Sequence, residues 1–193
     1  MKKRNGLLLL GALLASASLV ACSSSMNTKG KGMAQLMYDN QERVFYEVHD
    51  DNNDKIPGKD EKIARVYITK GGKATGYNTE KLKMDDVIGK SIDEVRKLAE
   101  EKSERTFEND KIIVEAITDG SGNNIVKERI KLFVTRDNEK WSNLFDSLTS
   151  GQIRDKYYAG YVDSDYLLIT EVSKGNVINF DKIDGKIVVE GKK

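Results

Sequence analysis

Strand-length segments separated by tight-turn signals fill most of this chain, and one strongly patterned helix interrupts them. Arg43 to His49 alternates, with Val44, Tyr46 and Val48 on one side and Phe45, Glu47 and His49 on the other. That is the period of a half-buried strand. Lys62 to Lys70 reads as a second strand, Gly71-Gly72 as a tight turn, and Lys73 to Asn78 as its hairpin partner. Lys111 to Thr118 and Ile125 to Thr135 flank Asp119-Gly120-Ser121-Gly122-Asn123-Asn124, a strong turn signal. Val126, Ile130, Leu132 and Val134 share one face of the second of these strands. Lys156 to Val162, Tyr166 to Val172, Val177 to Phe180 and Lys186 to Glu190 complete the series, with Asp184-Gly185 marking the last hairpin.

The helix starts at Ser91-Ile92-Asp93-Glu94, a capping box in which the serine bonds the N–H three residues on and Glu94 reaches back. Ile92, Val95, Leu98 and Ala99 supply its apolar stripe. Val87 and Ile88 read as a short preceding turn broken at Gly89. Trp141, Leu144, Phe145 and Leu148 have helical spacing and predict a second short helix pinned onto the sheet. Strands in a run, short turns and one good helix predict an α+β fold, mainly antiparallel β-sheet with one or two short helices. A β-sandwich or barrel with a helical insertion is the alternative. Residues 33–193 suit a single domain.

The amino terminus carries an address. Lys2, Lys3 and Arg4 precede an apolar stretch from Leu7 to Val20, and Leu19-Val20-Ala21-Cys22 closes it. This resembles a secretory signal peptide ending in the lipobox of bacterial lipoproteins. The resemblance implies removal of residues 1–21 and a diacylglycerol thioether on Cys22. A retained membrane span is the competing reading, but Gly6 to Cys22 has 17 residues, at the short limit for crossing a bilayer. Two or more acyl chains make a lasting anchor. Cys22 is the only cysteine, so an intramolecular disulfide is impossible and the exported domain stands on its core alone. Residues 22–32 read as the lipidated end and a flexible tether, Gly/Lys/Ser-rich and short. Ten linker residues reach roughly 17 Å on average and about 35 Å at most.

The expected location is the outer leaflet of a Gram-positive plasma membrane, or the outer membrane of a Gram-negative cell, since Ser23 follows the cysteine where a retention aspartate would stand. Loss of residues 1–21 removes three basic residues and no acids. From 32 basic and 31 acidic residues this leaves 29 and 31, a net charge of −2. No clustered basic face points to nucleic acid.

The segment Asp50 to Glu61 resembles the calcium loop of the EF-hand. Counting from Asp50, oxygen-bearing side chains fall at positions one, three and five (Asp50, Asn52, Asp54), and Glu61 falls at twelve. A hard cation wants several such oxygens converging from one turn. The segment departs from the pattern at Lys55, where the motif has glycine, and at Pro57, and a strand leads into it. A solvated acidic loop is the competing reading. His49, the only histidine, stands beside Asp50 at a strand end, without the partners of a nucleophilic triad. Tyr157 and Tyr161 share a strand face as a possible ligand platform, with ordinary sheet packing as the alternative. Phosphate loops and dinucleotide fingerprints are absent, so no cofactor is expected.

Several stretches resemble small surface lipoproteins of lactobacilli and streptococci: Arg43-Val44-Phe45-Tyr46, Gly58 to Ile63 leading into Val66 to Lys73, and Tyr157 to Tyr161 with Tyr166 to Thr170. The resemblance implies a cell-surface lipoprotein and supplies no activity. Together these features lead to an expectation of a membrane-anchored, non-catalytic binding module whose partner is an envelope or host protein or a glycan. An envelope enzyme using carboxylate chemistry and a structural or immune-visible surface protein are the alternatives.

Overall fold

The computed structural model describes residues 28–133, 140–175, 179–181 and 188–190. The strands are β1 Arg43–His49, β2 Lys62–Lys70, β3 Lys73–Lys83, β4 Arg105–Thr118, β5 Ile125–Phe133, β6 Lys140–Phe145, β7 Ser147–Ile153, β8 Lys156–Val162, β9 Tyr166–Val172 and β10 Val188–Glu190. Three short helices accompany them among the described residues: α1 Met33–Met37, α2 Met84–Val87 and α3 Ile92–Lys102. The strands form one mainly antiparallel sheet in the order β6-β5-β4-β3-β2-β1-β9-β8-β7. β10 lies parallel to β4 and pairs with Glu115–Ile117, beyond the point where β3 stops pairing at Lys111. Val177, Asp184 and Gly185, expected in the last strands and hairpin, lie outside the described residues.

The sheet curls into a half-barrel. Register shifts interrupt the pairing at Glu47/Val48, Ile63/Arg65, Ala74/Gly76 and Ile117/Thr118. Such bulges raise the local twist and bend the strand. The curl brings Phe145 of β6 onto Tyr161 of β8, with ring centroids 4.7 Å apart and planes 17° from parallel.

Two apolar layers result. Phe45, Tyr67, Ile112, Val114, Ile130, Phe145, Tyr161 and Leu168 pack inside the curl with Met33, Leu36 and Met37 of α1. Tyr46, Val66, Ile68, Tyr77, Tyr158 and Ile169 pack on the opposite face with Met84 and Val87 of α2 and with Val95 and Ala99 of α3. Full burial of each large apolar side chain contributes roughly 1.5–3 kcal/mol. A cavity of about 10 Å³ among the described residues is lined by Met37, Phe45, Tyr67 and Leu168 among others.

Helix α3 forms as expected. Ser91 Oγ accepts from the Glu94 N–H at 3.3 Å, and Glu94 returns the bond to the Ser91 N–H at 2.8 Å. Ser91→Ala is expected to cost about 1 kcal/mol of stability, the usual value of a lost cap, measured by urea denaturation. Gly71 and Gly72 take φ of 58° and 77°. Both central residues at positive φ is the signature of a two-residue hairpin turn, reachable at little cost only by glycine.

Three expectations are corrected. First, β1 is not half-buried: it sits between β2 and β9 with both faces covered. Its Glu47 survives inside because Arg65 Nη1 donates at 2.7 Å and the Tyr67 hydroxyl at 2.9 Å. Second, the helix expected over Trp141, Leu144, Phe145 and Leu148 is instead β6 and the start of β7. Positions four apart share a face in both periods, so Trp141 and Phe145 do not discriminate. Leu144 does: a helix would bury it beside Phe145, but here it stands exposed while Phe145 is buried. Third, the tether read over 22–32 packs at Thr28 and Gly32, which are buried, while Lys29 and Gly30 between them are exposed. Thr28 is buried and its Oγ1 accepts from the Ser173 N–H at 3.1 Å.

Candidate functional site

The loop from Asp50 to Glu61 joins β1 to β2, and its two ends are fixed by the sheet. The Asp50 N–H donates to the Asp165 carbonyl at 3.0 Å. At the other end the Met84 N–H donates to the Glu61 carbonyl at 3.0 Å, and the Asp85 N–H to the Lys59 carbonyl at 2.9 Å. The carboxylate of Asp50 folds the chain over itself: Oδ1 accepts from the Asp54 N–H at 3.2 Å and Oδ2 from the Lys55 N–H at 3.1 Å. Asn53 and Lys55 take positive φ, 52° and 61°. Lys55 thus supplies, at position six of the loop, the sharp left-handed turn for which the calcium motif uses glycine. The departure noted in the sequence is one of residue type and not of backbone path.

The fold brings three of the four sequence-predicted ligands together. Asp50, Asp54 and Glu61 each present a carboxylate oxygen, and these oxygens lie within 4.8 Å of one another. Asn52 and Asp54 are both exposed. Glu61 is 3 % exposed, and its Oε2 accepts from the Gly58 N–H at 2.8 Å while its Oε1 has no partner. Burial pushes the Glu61 carboxyl up to about 7; the Gly58 bond opposes this, and the charges of Asp50, Asp54 and Asp51 add to the rise. A buried carboxylate with one oxygen unsatisfied and only like charges facing it is costly unless a cation shares the site.

The loop also leans on the sheet edge. Thr149 of β7 donates its hydroxyl to the Lys55 carbonyl at 2.5 Å. Gly151 of β7 approaches Pro57 so closely that an added Cβ would lie 3.0 Å from the proline ring. The loop covers part of an edge strand that otherwise offers unpaired backbone groups. Ile56 at its tip is exposed.

The remaining candidates separate. Cys22 lies outside the described residues. His49 is half-buried, its ring tilted against Tyr166 at 4.7 Å. Both Asp50 carboxylate oxygens accept from loop backbone N–H groups, and His49 instead packs on Tyr166. The tyrosine platform is corrected: Tyr161 is fully buried, and the curl of the sheet turns its face onto Phe145. Tyr157 is partly buried against the same core, with the Lys174 ammonium 6.0 Å from its ring.

One polar cluster went unread in the sequence. Glu128 of β5 is fully buried and accepts from the Tyr161 hydroxyl and, at 2.7 Å, from the Asp181 N–H. Asp181 in turn caps α1, accepting from the Ala34 N–H at 2.7 Å and the Gln35 N–H at 3.0 Å. Burial, then the Asp181 carboxylate, push Glu128 up to about 7, while the Tyr161 bond works the other way. The available signal was parity: Glu128 interrupts the face shared by Val126, Ile130 and Leu132.

Comparison with protein-family models, with curated proteins and with solved structures finds no match.

Proposed function

We propose that the chain is a lipid-anchored surface protein acting as a non-catalytic binding module next to the outer face of a membrane, with an α+β body. The observation that carries this reading is the basic, then apolar, then Leu19-Val20-Ala21-Cys22 sequence. The burial of Thr28 sharpens it. Only residues 23–27 separate Cys22 from Thr28, and five residues extend at most about 18 Å. A lipid on Cys22 would therefore hold the body close to the bilayer, suited to a partner in the envelope and not to one beyond a thick wall.

Cys22→Ser is expected to move most of the protein from the membrane fraction to the soluble or secreted fraction, read by fractionation and immunoblot. Unchanged membrane retention rules out the anchor. Cross-linking in intact cells, followed by recovery of the tagged protein, is expected to yield the same envelope partner from replicate cultures. Recovery of no reproducible partner counts against the binding role and leaves the anchor standing.

A further inference from the structure

We propose that Asp50, Asp54 and Glu61 form a calcium site that locks the β1–β2 loop against the β7 edge. Two independent observations converge on this. The first is that one oxygen from each carboxylate lies within 4.8 Å of the others. Calcium binds oxygens at 2.3–2.6 Å, so oxygens sharing one ion lie up to about 5 Å apart. The second is Glu61 itself: the residue belongs to this cluster, is 3 % exposed, and has a buried Oε1 without a partner. A solvated acidic loop has no reason to bury a carboxylate among others. A cation site requires it.

The donor chemistry selects the ion. The three side chains offer oxygen only, which suits calcium, magnesium or manganese and disfavours zinc and copper, ions that prefer imidazole or thiolate. The ligands sit on a loop whose ends are fixed but whose middle is exposed from Asp51 to Ile56. Such a site tolerates the irregular six-to-eight-oxygen shell of calcium better than the rigid octahedron of magnesium. Three carboxylates with water completing the shell correspond to the weak end of calcium affinities, the range of extracellular modules, with Kd of roughly 10⁻⁴–10⁻³ M.

Binding has a mechanical consequence. Asp50 follows β1 and Glu61 precedes β2, so an ion would join the two strand ends across the loop. Through Thr149 and Gly151 the same loop touches β7. Calcium would thus stiffen the loop, its exposed Ile56 and the sheet edge as one surface.

The test is titration of the full chain in detergent micelles with CaCl₂ and, separately, MgCl₂, followed by calorimetry and thermal unfolding. One calcium per chain is expected in the millimolar to sub-millimolar range, with a rise in Tm. Glu61→Gln and Asp54→Asn are each expected to weaken binding by roughly tenfold or more, because each removes a charged ligand. Asp51→Asn, which alters an exposed neighbour outside the cluster, is expected to bind within about twofold of the wild type. Loss of binding in Asp54→Asn with a cooperative unfolding transition retained supports the site even where Glu61→Gln fails to fold. No heat at about 10 mM calcium, unchanged affinity in both ligand variants, or tighter binding of magnesium than of calcium overturns it. None of these readings depends on Cys22, so failure of the anchor and failure of the ion site are distinguishable.

Discussion

Gly160→Ala is expected to destabilise the domain by about 3 kcal/mol or more, which at this size lowers Tm by about 10 °C or prevents folding. Gly160 lies in β8 opposite Ile169 of β9. A Cβ there would meet the Leu168 carbonyl oxygen at 1.9 Å and the Ile169 Cα at 2.8 Å. Both are backbone atoms of the paired strand, so no rotamer change relieves the contact. The only escape is to push β9 away from β8, which breaks the ladder that holds Leu167, Leu168 and Ile169 in the two cores. A loss of that size is a large share of the roughly 5–15 kcal/mol that folds a domain. Gly120→Ala is the control: nothing lies within 4 Å of its Cβ position, and the change is expected to stay within about 0.5 kcal/mol. Urea denaturation of both variants checks this, and a Gly160→Ala protein as stable as Gly120→Ala rejects the close-approach account.

The second large effect is a fall in stability as pH rises through neutrality, centred on Glu128. Its carboxyl titrates near 7 in the folded protein, against 4.5 for an unperturbed glutamate, because burial and the neighbouring Asp181 disfavour the charge. Between those values the folded state holds more protons than the unfolded state, so stability decreases with pH. The contribution is fully present below about pH 4.5 and is lost as pH rises through about 7. Glu128 and Asp181 lie together and titrate as a pair, and the stability they contribute falls with rising pH across this window.

Glu128→Gln keeps an acceptor for the Asp181 N–H and cannot ionise. It is expected to be more stable than the wild type at pH 8 and to show a flatter profile between pH 5.5 and pH 8. Glu61 is shifted in the same direction but is present in both proteins, so the difference between them isolates Glu128. Equal slopes in wild type and variant reject the assignment. The cluster also explains a distant dependence: Asp181 caps α1, whose N-cap residue, Gly32, has no side chain to do so.

The elements that were legible from sequence are those whose signals lie within a few residues. β2, β8 and β9 have the bounds read from their alternation and turn residues. Helix α3 begins at the capping box that Ser91 and Glu94 announce. β3 runs past Asn78 to Lys83, where Leu82 and Lys83 pair with Ile63 and Lys62 of β2, and β4 starts at Arg105 and not Lys111 because its first residues pair with Ala74 to Asn78 of β3. Helix α1 has five residues, four of them buried, and no cap of its own in the sequence; Asp181, 147 residues from Ala34, provides one. The acidic loop shows the same division. Its composition and spacing nominated Asp50, Asn52, Asp54 and Glu61, while only the fold brings the three carboxylates together and buries Glu61.

By itself the sequence determined the local grammar of this protein: the strand and helix periods, the Gly71-Gly72 turn, the spacing of four oxygen-bearing residues and the run that ends at Cys22. Tertiary structure decided the rest. The order of strands, the curl that buries Tyr161 against Phe145, the burial of Glu61 and Glu128, and the remote cap on α1 all join residues far apart in the chain. Such contacts leave no periodic trace, because they are set by which faces must leave water together and not by what stands next to what.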